Sequence, residues 1–520
     1  MTGPGNRCFD ARRPLLAEIM ALHENWRGEK TAIICEDEKL SWRAFGDASN
    51  RVANALAAAG LGRGDTIVVA MENAIETVEV LFGVMKAGCV SAPLNLTVSD
   101  DALATMVDDC KAKSVIVSEG QRARFSSLLE RRGDLLLIAL GETDEAWIGY
   151  SEWKNPQPTS LPQIDIAPDD LLNIIYSSGT TGRPKGIAHT HHSRLEWAYD
   201  LSIALRYHGG SRTLCTLALY SNISWVMMLC TFLAGGTLII TRTFDAGQFI
   251  RTTARNRATH TALVPVQLRR IVDHPEFNAD KVKSLLAMMS CGSPLHADLK
   301  KRIFDTFPAG VIELYGLTEG VATTLDPEEA EGRMASVGKP LLGTDIKVIG
   351  KDDKPVANGA AGEIVATGRI VMPYYFNRPE ETEKAIWRDD AGRAWIRTGD
   401  IGRLDEDGFL YIVDRKKDLI LSGGQNIYPS DIEAVLINHP NVTGAAVIAA
   451  PHDEWGETPF GVVETSDGAS EIEIGTWANE KLGRRQRLTG LKIVSALPRN
   501  PNGKILKREL RASIFPETSL

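Results

Sequence analysis

Apolar residues recur along the first part of the chain in two alternating spacings. Short, largely apolar runs such as Thr66–Ala70 and Ser114–Val117 are typical of strands buried on both faces. Between such runs, apolar residues recur at helical spacing, first after the N-cap residue Ser41 and again over residues 74–87. This alternation predicts parallel sheet with helices on its faces.

The same alternation resumes further along the chain. Strands are predicted at 171–175, 213–219, 237–241 and 282–290, and helices at 193–205 and 225–233. The pattern alone leaves open whether these strands form two sheets or one large one. Residues 140–168, rich in Glu, Pro and Ser, are predicted to be a surface connection.

Two later regions differ in character. From Ser336, glycine and proline separate short β-like runs, and beyond residue 415 a helix (430–438) and a strand (442–449) are predicted. The fold class predicted is therefore α/β. It has a large N-terminal domain of two α/β sheets plus a small β-rich lobe (residues 1–414), hinged near Lys417 to a small α+β domain (residues 415–520).

Composition narrows the class of function. The 520 residues are 43% hydrophobic and carry a net charge of -9, which disfavours nucleic acid or an acidic membrane as the main partner. Seven scattered cysteines without a C-x-x-C pair fit a reducing compartment. No apolar run is long enough to cross a bilayer, so a soluble cytoplasmic protein is expected, with a homodimer left open.

The segment from Tyr176 to Gly186 carries the clearest chemistry. Glycines permit a sharp turn and close ligand approach, successive N–H groups form an anion nest, and hydroxyls and a lysine complement phosphate. It is not a Walker A loop, because Pro184 interrupts that pattern, and the strand before it disfavours a floppy linker. The candidate phosphate-binding residues are Ser177, Ser178, Gly179, Thr180, Thr181, Gly182 and Lys185.

Further short motifs follow, each of which alone has an ordinary interpretation as a turn or a solvated charge. They are Tyr315-Gly316-Leu317-Thr318-Glu319, Ser290-Cys291-Gly292-Ser293, Thr398-Gly399-Asp400, Arg415-Lys416-Lys417, Ser422-Gly423-Gly424 and Asn502-Gly503-Lys504. Together, and in their order along the chain, they resemble the motifs of the adenylate-forming enzymes, which include acyl-CoA synthetases, peptide-synthetase adenylation domains and luciferases. The resemblance covers essentially the whole chain.

The resemblance implies a role for each motif. The catalytic residues would be Lys504, Glu319 and Thr318, with Lys504 bridging the substrate carboxylate and the α-phosphate. Glu319 would ligate Mg²⁺, with Ser177 adding a hydroxyl. Lys417 would be the hinge. The implied adenine and ribose contacts are Tyr315, Gly316, Gly292, Ser293, Asp400 and Arg415.

The motifs indicate the acyl acceptor and the acid substrate less directly than the nucleotide. No acid that could grip an amino group occurs near Tyr220, and the Trp-Gly-Glu stretch at 455–457 is similar to that of CoA ligases, so coenzyme A is expected beside ATP and Mg²⁺. Ser422, Gly423 and Gly424 would line the CoA path. The acyl pocket would be formed by Tyr220, Trp225, Val266 and Leu314.

Leu314 disfavours a dicarboxylate, because malonate-type relatives carry arginine in this region. An apolar medium-chain or aromatic acid is therefore expected. Two alternatives stay open: an acyl-AMP ligase that passes the acyl group to a carrier protein, and a nucleotide-binding regulator without turnover.

Overall fold

The computed structural model describes residues 13–125, 128, 131–141, 143, 145–177, 184–422, 425–466, 468–500 and 503–516. Ser178, Gly179, Thr180, Thr181 and Gly182 of the predicted phosphate loop lie outside the described residues, as do Gly423 and Gly424.

The strands are numbered in chain order. They are β1 (Thr31–Cys35), β2 (Glu38–Ser41), β3 (Thr66–Ala70), β4 (Val90–Pro93), β5 (Ser114–Val117), β6 (Leu136–Ala139), β7 (Ile148–Gly149), β8 (Leu171–Ser177), β9 (Lys185–Thr190), β10 (Arg212–Cys215), β11 (Thr237–Ile240), β12 (His260–Leu263), β13 (Ala287–Ser290), β14 (Ile312–Leu317), β15 (Val321–Leu325), β16 (Lys339–Pro340), β17 (Thr344–Ile349), β18 (Gly362–Gly368), β19 (Ile386–Arg388), β20 (Ala394–Leu404), β21 (Leu410–Arg415), β22 (Ile420–Ser422), β23 (Gln425–Ile427), β24 (Val442–His452), β25 (Gly456–Thr465) and β26 (Gly490–Ile493).

The α-helices are numbered in the same way. They are α1 (Leu16–Trp26), α2 (Trp42–Ala58), α3 (Ile75–Lys86), α4 (Asp100–Asp109), α5 (Tyr150–Lys154), α6 (His191–Ala204), α7 (Asn222–Ala234), α8 (Ala246–Asn256), α9 (Pro265–Val272), α10 (Ala279–Val282), α11 (Ala297–Thr306), α12 (Pro379–Lys384), α13 (Pro429–Ile437), α14 (Glu471–Lys481) and α15 (Lys507–Ile514). Two 3-10 turns, Glu119–Phe125 and Pro327–Glu329, complete the described helical segments.

Two large sheets form the N-terminal part, which settles the choice that the pattern left open. One has seven strands in the order β7-β6-β5-β3-β4-β8-β9, and the other has nine in the order β16-β15-β14-β13-β12-β10-β11-β1-β2. Both are parallel at their centres and end in antiparallel strands, β9 in the first and β2, β15 and β16 in the second. The predicted α/β class is confirmed.

Two smaller sheets follow. One is β17-β18-β20-β19, with β21 on β20, and it is the predicted β-rich lobe. The other is β23-β22-β25-β24, with β26 on β25, and together with α13 and α14 it makes the predicted α+β part. The second of these sheets has its own buried apolar cluster, whereas the cluster of the β-rich lobe also includes Ile187 of β9 and Val321 of β15.

An aromatic cluster fixes the helices of the large N-terminal part. Trp42, Phe45, Phe82 and Phe232 are at most 1% exposed. Phe232 packs edge-on against Trp42 at 5.5 Å and against Phe82 at 4.9 Å between ring centres. These side chains join α2, α3 and α7, and α3 contacts strands of both large sheets. Burial of each ring contributes on the order of 2–3 kcal/mol.

Several predicted elements are confirmed. The Ser41 side chain accepts a hydrogen bond from the Ala44 N–H at 3.2 Å and caps α2. Gly60, Gly88 and Gly235 follow α2, α3 and α7 with φ of 78°, 68° and 69°, the left-handed conformation in which helices commonly end. Within the described ranges, no helix is both long enough and apolar enough to span a membrane.

Three predictions need correction. Of the strand predicted at 282–290, only Ala287–Ser290 is extended, because Asn278 caps the short helix α10 that contains Val282. The strand predicted at 213–219 ends at Cys215. The supposed surface connection holds β7 and α5, and Tyr150 and Trp153 are buried there, since two aromatic residues gain more from the core than from solvent.

Candidate active site

Strand β9 brings Lys185 together with Glu319 through a segment that the sequence did not single out. Residues 374–376 run beside β9, with the Phe376 N–H donating to the Gly186 carbonyl at 2.8 Å. The Tyr375 hydroxyl donates to Glu319 Oε1 at 2.9 Å, and Lys185 Nζ lies 5.2 Å from the centre of the Tyr375 ring. Lys185 Nζ also pairs with Glu381 Oε2 at 2.5 Å.

The Glu319 carboxyl is the best candidate for holding a cation. Burial raises its pKa, while the Tyr375 hydroxyl and the charges of Arg415 and Lys185 oppose that shift. A dication would remove the penalty of burial. The described residues contain no group of three or more acidic, His or Cys ligands, so a fully protein-made cage is not seen among them. Mg²⁺ needs only one or two carboxylates when substrate phosphates complete its shell, so the donor set fits it.

Ser177 ends β8 and pairs in register with Lys185 of β9. The hairpin therefore places both ends of the predicted phosphate loop next to each other. Lys185 is engaged by Glu381, so a phosphate would have to compete with that carboxylate for it.

Glycines shape the turn that carries Thr318 and Glu319. A Cβ on Gly316 would lie 2.5 Å from the Val321 carbonyl oxygen. A Cβ on Gly320, whose φ is 96°, would lie 2.0 Å from the Ile370 carbonyl oxygen. The close approach requires glycine at both positions. Thr318 is half-buried in this turn, between β14 and β15.

The Asp400 carboxylate has two side-chain partners, Tyr315 and Arg415. The Tyr315 hydroxyl donates to Asp400 Oδ2 at 2.7 Å, and Arg415 Nε lies 3.2 Å from Asp400 Oδ1. Asp400 is 3% exposed. A carboxylate accepts about four hydrogen bonds, so capacity for two ribose hydroxyls remains. The structure thus brings the predicted residues Tyr315, Asp400 and Arg415 into contact with one another through the Asp400 carboxylate.

The predicted turn after β13 is confirmed. Gly292 adopts φ of 91° and Ser293 is half-buried beside it.

Lys504 reaches the same site from the C-terminal part of the chain. The preceding Gly503 sits against Val266, to whose Cγ1 an added Cβ would be 3.2 Å distant. Burial lowers the pKa of the Lys504 ammonium to about 7, and the charges of Arg415 and Lys417 add to the lowering, while Asp400 acts in the opposite direction. In this arrangement of the two parts of the chain, Lys504 lies within electrostatic range of Asp400 and Arg415.

Lys417 lies in the turn between β21 and β22, where the β-rich lobe passes into the C-terminal sheet. The neighbouring Lys416 N–H donates to the Gly399 carbonyl at 2.9 Å, and Lys416 Nζ pairs with Glu363 Oε2 at 2.9 Å. Burial lowers the pKa of Lys417. Beyond the turn, the Ser430 N–H donates to Asp414 Oδ2 at 2.9 Å, so movement about Lys417 would have to break this contact.

Ser422 and the Trp-Gly-Glu stretch also come together. Ser422 pairs with Gly456 between β22 and β25, and Glu457 Oε2 accepts a hydrogen bond from the Leu421 N–H at 3.1 Å. The Trp455 ring stacks on His452 at 4.7 Å between ring centres and remains 43% exposed. An exposed, oriented aromatic ring of this kind suits contact with a planar ligand.

Three of the four candidate acyl-pocket residues share one apolar cluster. Trp225 is fully buried in it, and Val266 and Leu314 pack against it half-buried. Tyr220 is half-buried in the turn before α7, and burial raises the pKa of its hydroxyl to about 12.

Comparison with known proteins identifies the class. The family described as "AMP-binding enzyme" matches residues 22–376, and the "AMP-binding enzyme C-terminal domain" family matches residues 431–504. The chain belongs to the AMP-binding enzymes and thus to the adenylate-forming superfamily. Within that superfamily it is an AMP-forming acid–thiol ligase.

Individual relatives cover nearly the whole chain. It is 34% identical over 467 residues to the feruloyl-CoA synthase of Streptomyces sp (89% of this chain, 91% of the relative). It is 32% identical over 485 residues to the long-chain-fatty-acid–CoA ligase FadD13 of Mycobacterium tuberculosis H37Rv (91% and 93%). The crystal structure of ATP-bound MatB from Rhodopseudomonas palustris superposes with a TM-score of 0.87 at 27% identity (96% and 98%).

The charge on Lys504 yields a pH prediction. If this charge is needed for adenylation, kcat/KM for ATP should fall by roughly tenfold per pH unit above a pH of about 7, since the group then loses its proton. The measurement is pyrophosphate release across pH. Arginine keeps its charge at alkaline pH. We therefore expect Lys504→Arg to be slower than the wild type but to lack the alkaline fall in kcat/KM. The same alkaline fall in Lys504→Arg would assign the titration to another group.

Proposed function

We propose that the protein is an ATP-dependent acyl-CoA synthetase in which Lys504, Thr318 and Glu319 act on the first half-reaction. The observation that carries this proposal is the convergence of Lys504, Arg415 and Tyr315 around the buried Asp400. A ribose bound to Asp400 would place the α-phosphate near the positive charges of Lys504 and Arg415. The relatives' printed names, which are CoA ligases, support the same class.

The chemistry proceeds in two displacements. A carboxylate oxygen of the acid attacks the α-phosphorus of ATP, the bond to the β-phosphate oxygen breaks, and pyrophosphate leaves. The CoA thiolate then attacks the acyl carbonyl, the bond to the AMP oxygen breaks, and AMP leaves. The protein's contribution to both steps is positioning and charge neutralisation.

Each part of the site has a task in this scheme. Lys504 would neutralise charge as the carboxylate meets the α-phosphate, and Thr318 would bind the adenylate. Ser177, Lys185 and the segment 178–182 would hold the phosphates. Mg²⁺, when bound by Glu319 and Ser177, would supply further neutralisation of the triphosphate.

Movement about Lys417 would connect the two steps. We propose domains of residues 1–414 and 415–520, with the second turning so that Lys504 leaves and Ser422, Gly423 and Gly424 present the pantetheine arm. Support comes from Lys417's place in the turn between β21 and β22. A few residues that change φ and ψ suffice for such a hinge.

The acid would have an apolar or aromatic body. Trp225, Val266 and Leu314 form one apolar wall, and Tyr220 precedes it. Apolar pockets discriminate by only about 1–3 kcal/mol per methylene, so several acids should be accepted. Cytoplasmic location is part of the proposal, supported by the six described cysteines, all of them free and buried.

The test of the proposed function is product analysis over a panel of carboxylic acids with ATP and Mg²⁺, with and without CoA. CoA-dependent AMP release together with a CoA thioester is expected. Release of pyrophosphate that ignores CoA, with transfer to a carrier protein, would contradict the CoA assignment. ATP binding without any turnover would point to a regulator instead.

Lys504→Ala should slow adenylation by about 10²–10³, because one preorganised charge is lost. Thioester formation from supplied acyl-adenylate should change little, since the lysine acts before that step. Separate assays of the two half-reactions make the comparison. Equal damage to both would contradict a role confined to the first.

Lys417→Pro should slow thioester formation most, because proline fixes φ at the hinge. Adenylation should be much less affected, as the structure already has Lys504 near Asp400. Lys417→Ala is the matched control, because it removes the same side chain without fixing φ. An unchanged second step in Lys417→Pro would exclude Lys417 as the pivot.

A further inference from the structure

Arg194 is a buried cation without a matching anion. It lies in α6 and is 2% exposed. Its Nε donates to Asn173 Oδ1 at 3.1 Å, and its guanidinium carbon lies 4.7 Å from the Trp197 ring centre. Its Nη2 has no hydrogen-bond partner, and no carboxylate in the described part of the chain pairs with it. Burial lowers its pKa to about 9, so it stays charged at neutral pH.

Other charged residues of helix α6 do have partners of opposite charge. Glu196 and Asp200, on the same helix, are both bound by Arg369, with Arg369 Nη1 2.9 Å from Glu196 Oε2. Arg13 also pairs with Glu196. The acids nearest in sequence are therefore occupied, and Arg194 faces another way.

Two neighbours of Arg194 are buried donors without an acceptor. They are Asn173 Nδ2 and Trp225 Nε1, and both can only donate. His189 differs: burial lowers its pKa well below its usual range and keeps the ring neutral, and because the ring donates to the Thr318 carbonyl, its unpartnered Nε2 is an acceptor. An unsatisfied buried polar group costs about 1–3 kcal/mol, and a charged one more. Several such donors in one place call for an anionic acceptor.

This cluster borders the candidate active site. The Trp225 ring, a predicted wall of the acyl pocket, has its centre 5.7 Å from the Arg194 guanidinium carbon. A narrow cavity without room for a water molecule in its present shape adjoins Arg194. Its lining includes His189, Arg194, Trp197, Thr318, Gly320 and Ile370. Water therefore cannot satisfy these donors there, and a ligand group would reach them only after neighbouring side chains move.

We propose that Arg194 binds a second carboxylate on the acid that the enzyme activates, with Asn173 Nδ2 as a further donor. The substrate class is then an apolar or aromatic acid that carries a second carboxylate beyond the reacting one. This inference rests on the proposed function. It replaces the expectation, based on Leu314 alone, that dicarboxylates are disfavoured.

The test compares matched acids on the wild-type enzyme. The pairs are adipate with hexanoate and para-carboxyphenylpropionate with phenylpropionate, with monomethyl adipate as a neutral control of similar size. We expect kcat/KM for CoA-thioester formation to favour the dicarboxylate by at least about tenfold in one pair, because a built polar site rejects the analogue that lacks its partner. The monomethyl ester should fall to the level of hexanoate.

Variants assign the preference to Arg194. Arg194→Met should abolish the ratio within a pair, chiefly through KM for the dicarboxylate, and Arg194→Lys should restore part of it. Arg206→Met, which removes an exposed arginine paired with Glu328 just after the same helix, should keep the wild-type ratio.

The outcomes separate the two proposals. Thioesters formed from monoacids with no preference for their dicarboxylate partners would overturn the role of Arg194 and leave the proposed function standing. A preference that survives in Arg194→Met would also overturn it. No thioester from any acid would overturn both.

Discussion

Repulsion between two anions is the constraint on which this site depends. A carboxylate must approach the triphosphate of ATP. The protein must therefore supply positive charge that its own carboxylates do not already neutralise. Arg415 pairs with the buried Asp400, and burial together with the positive charges of Arg415 and Lys417 lowers the pKa of Lys504 to about 7. Because burial disfavours the charged form of Lys504, an incoming anion stabilises it. The same positive charge would therefore help both to bind the nucleotide and to activate it.

The fold brings the charged residues of the site together from distant parts of the chain. Lys185 comes from the hairpin at the edge of the seven-stranded sheet, Glu319 from the antiparallel end of the nine-stranded sheet, and Asp400 from the β-rich lobe. Lys504 comes from the C-terminal part, beyond the turn at Lys417. If the proposed hinge at Lys417 operates, the last contribution can be withdrawn after the first reaction. The account thus links the order of the chemistry to the connectivity of the chain.

Much of this arrangement could be predicted from sequence, because its local parts obey local rules. The Ser41 cap, the glycines that end α2 and α3, and the glycines of the Tyr-Gly turn follow from backbone geometry. Tyr375 could not be predicted, since its contact with Glu319 depends on residues 374–376 running beside β9. Nor could Arg194, which in the sequence is one polar residue in a helix and, among the described residues of the structure, is a buried cation with no carboxylate paired to it.

The central claim is that adenylation is a separate first step at the Asp400–Lys504 site. Exchange of labelled pyrophosphate into ATP in the absence of CoA tests it most directly. The account predicts exchange that requires a carboxylic acid and Mg²⁺ and is strongly reduced in Lys504→Ala. Exchange that requires CoA, or that proceeds without any acid, would contradict it.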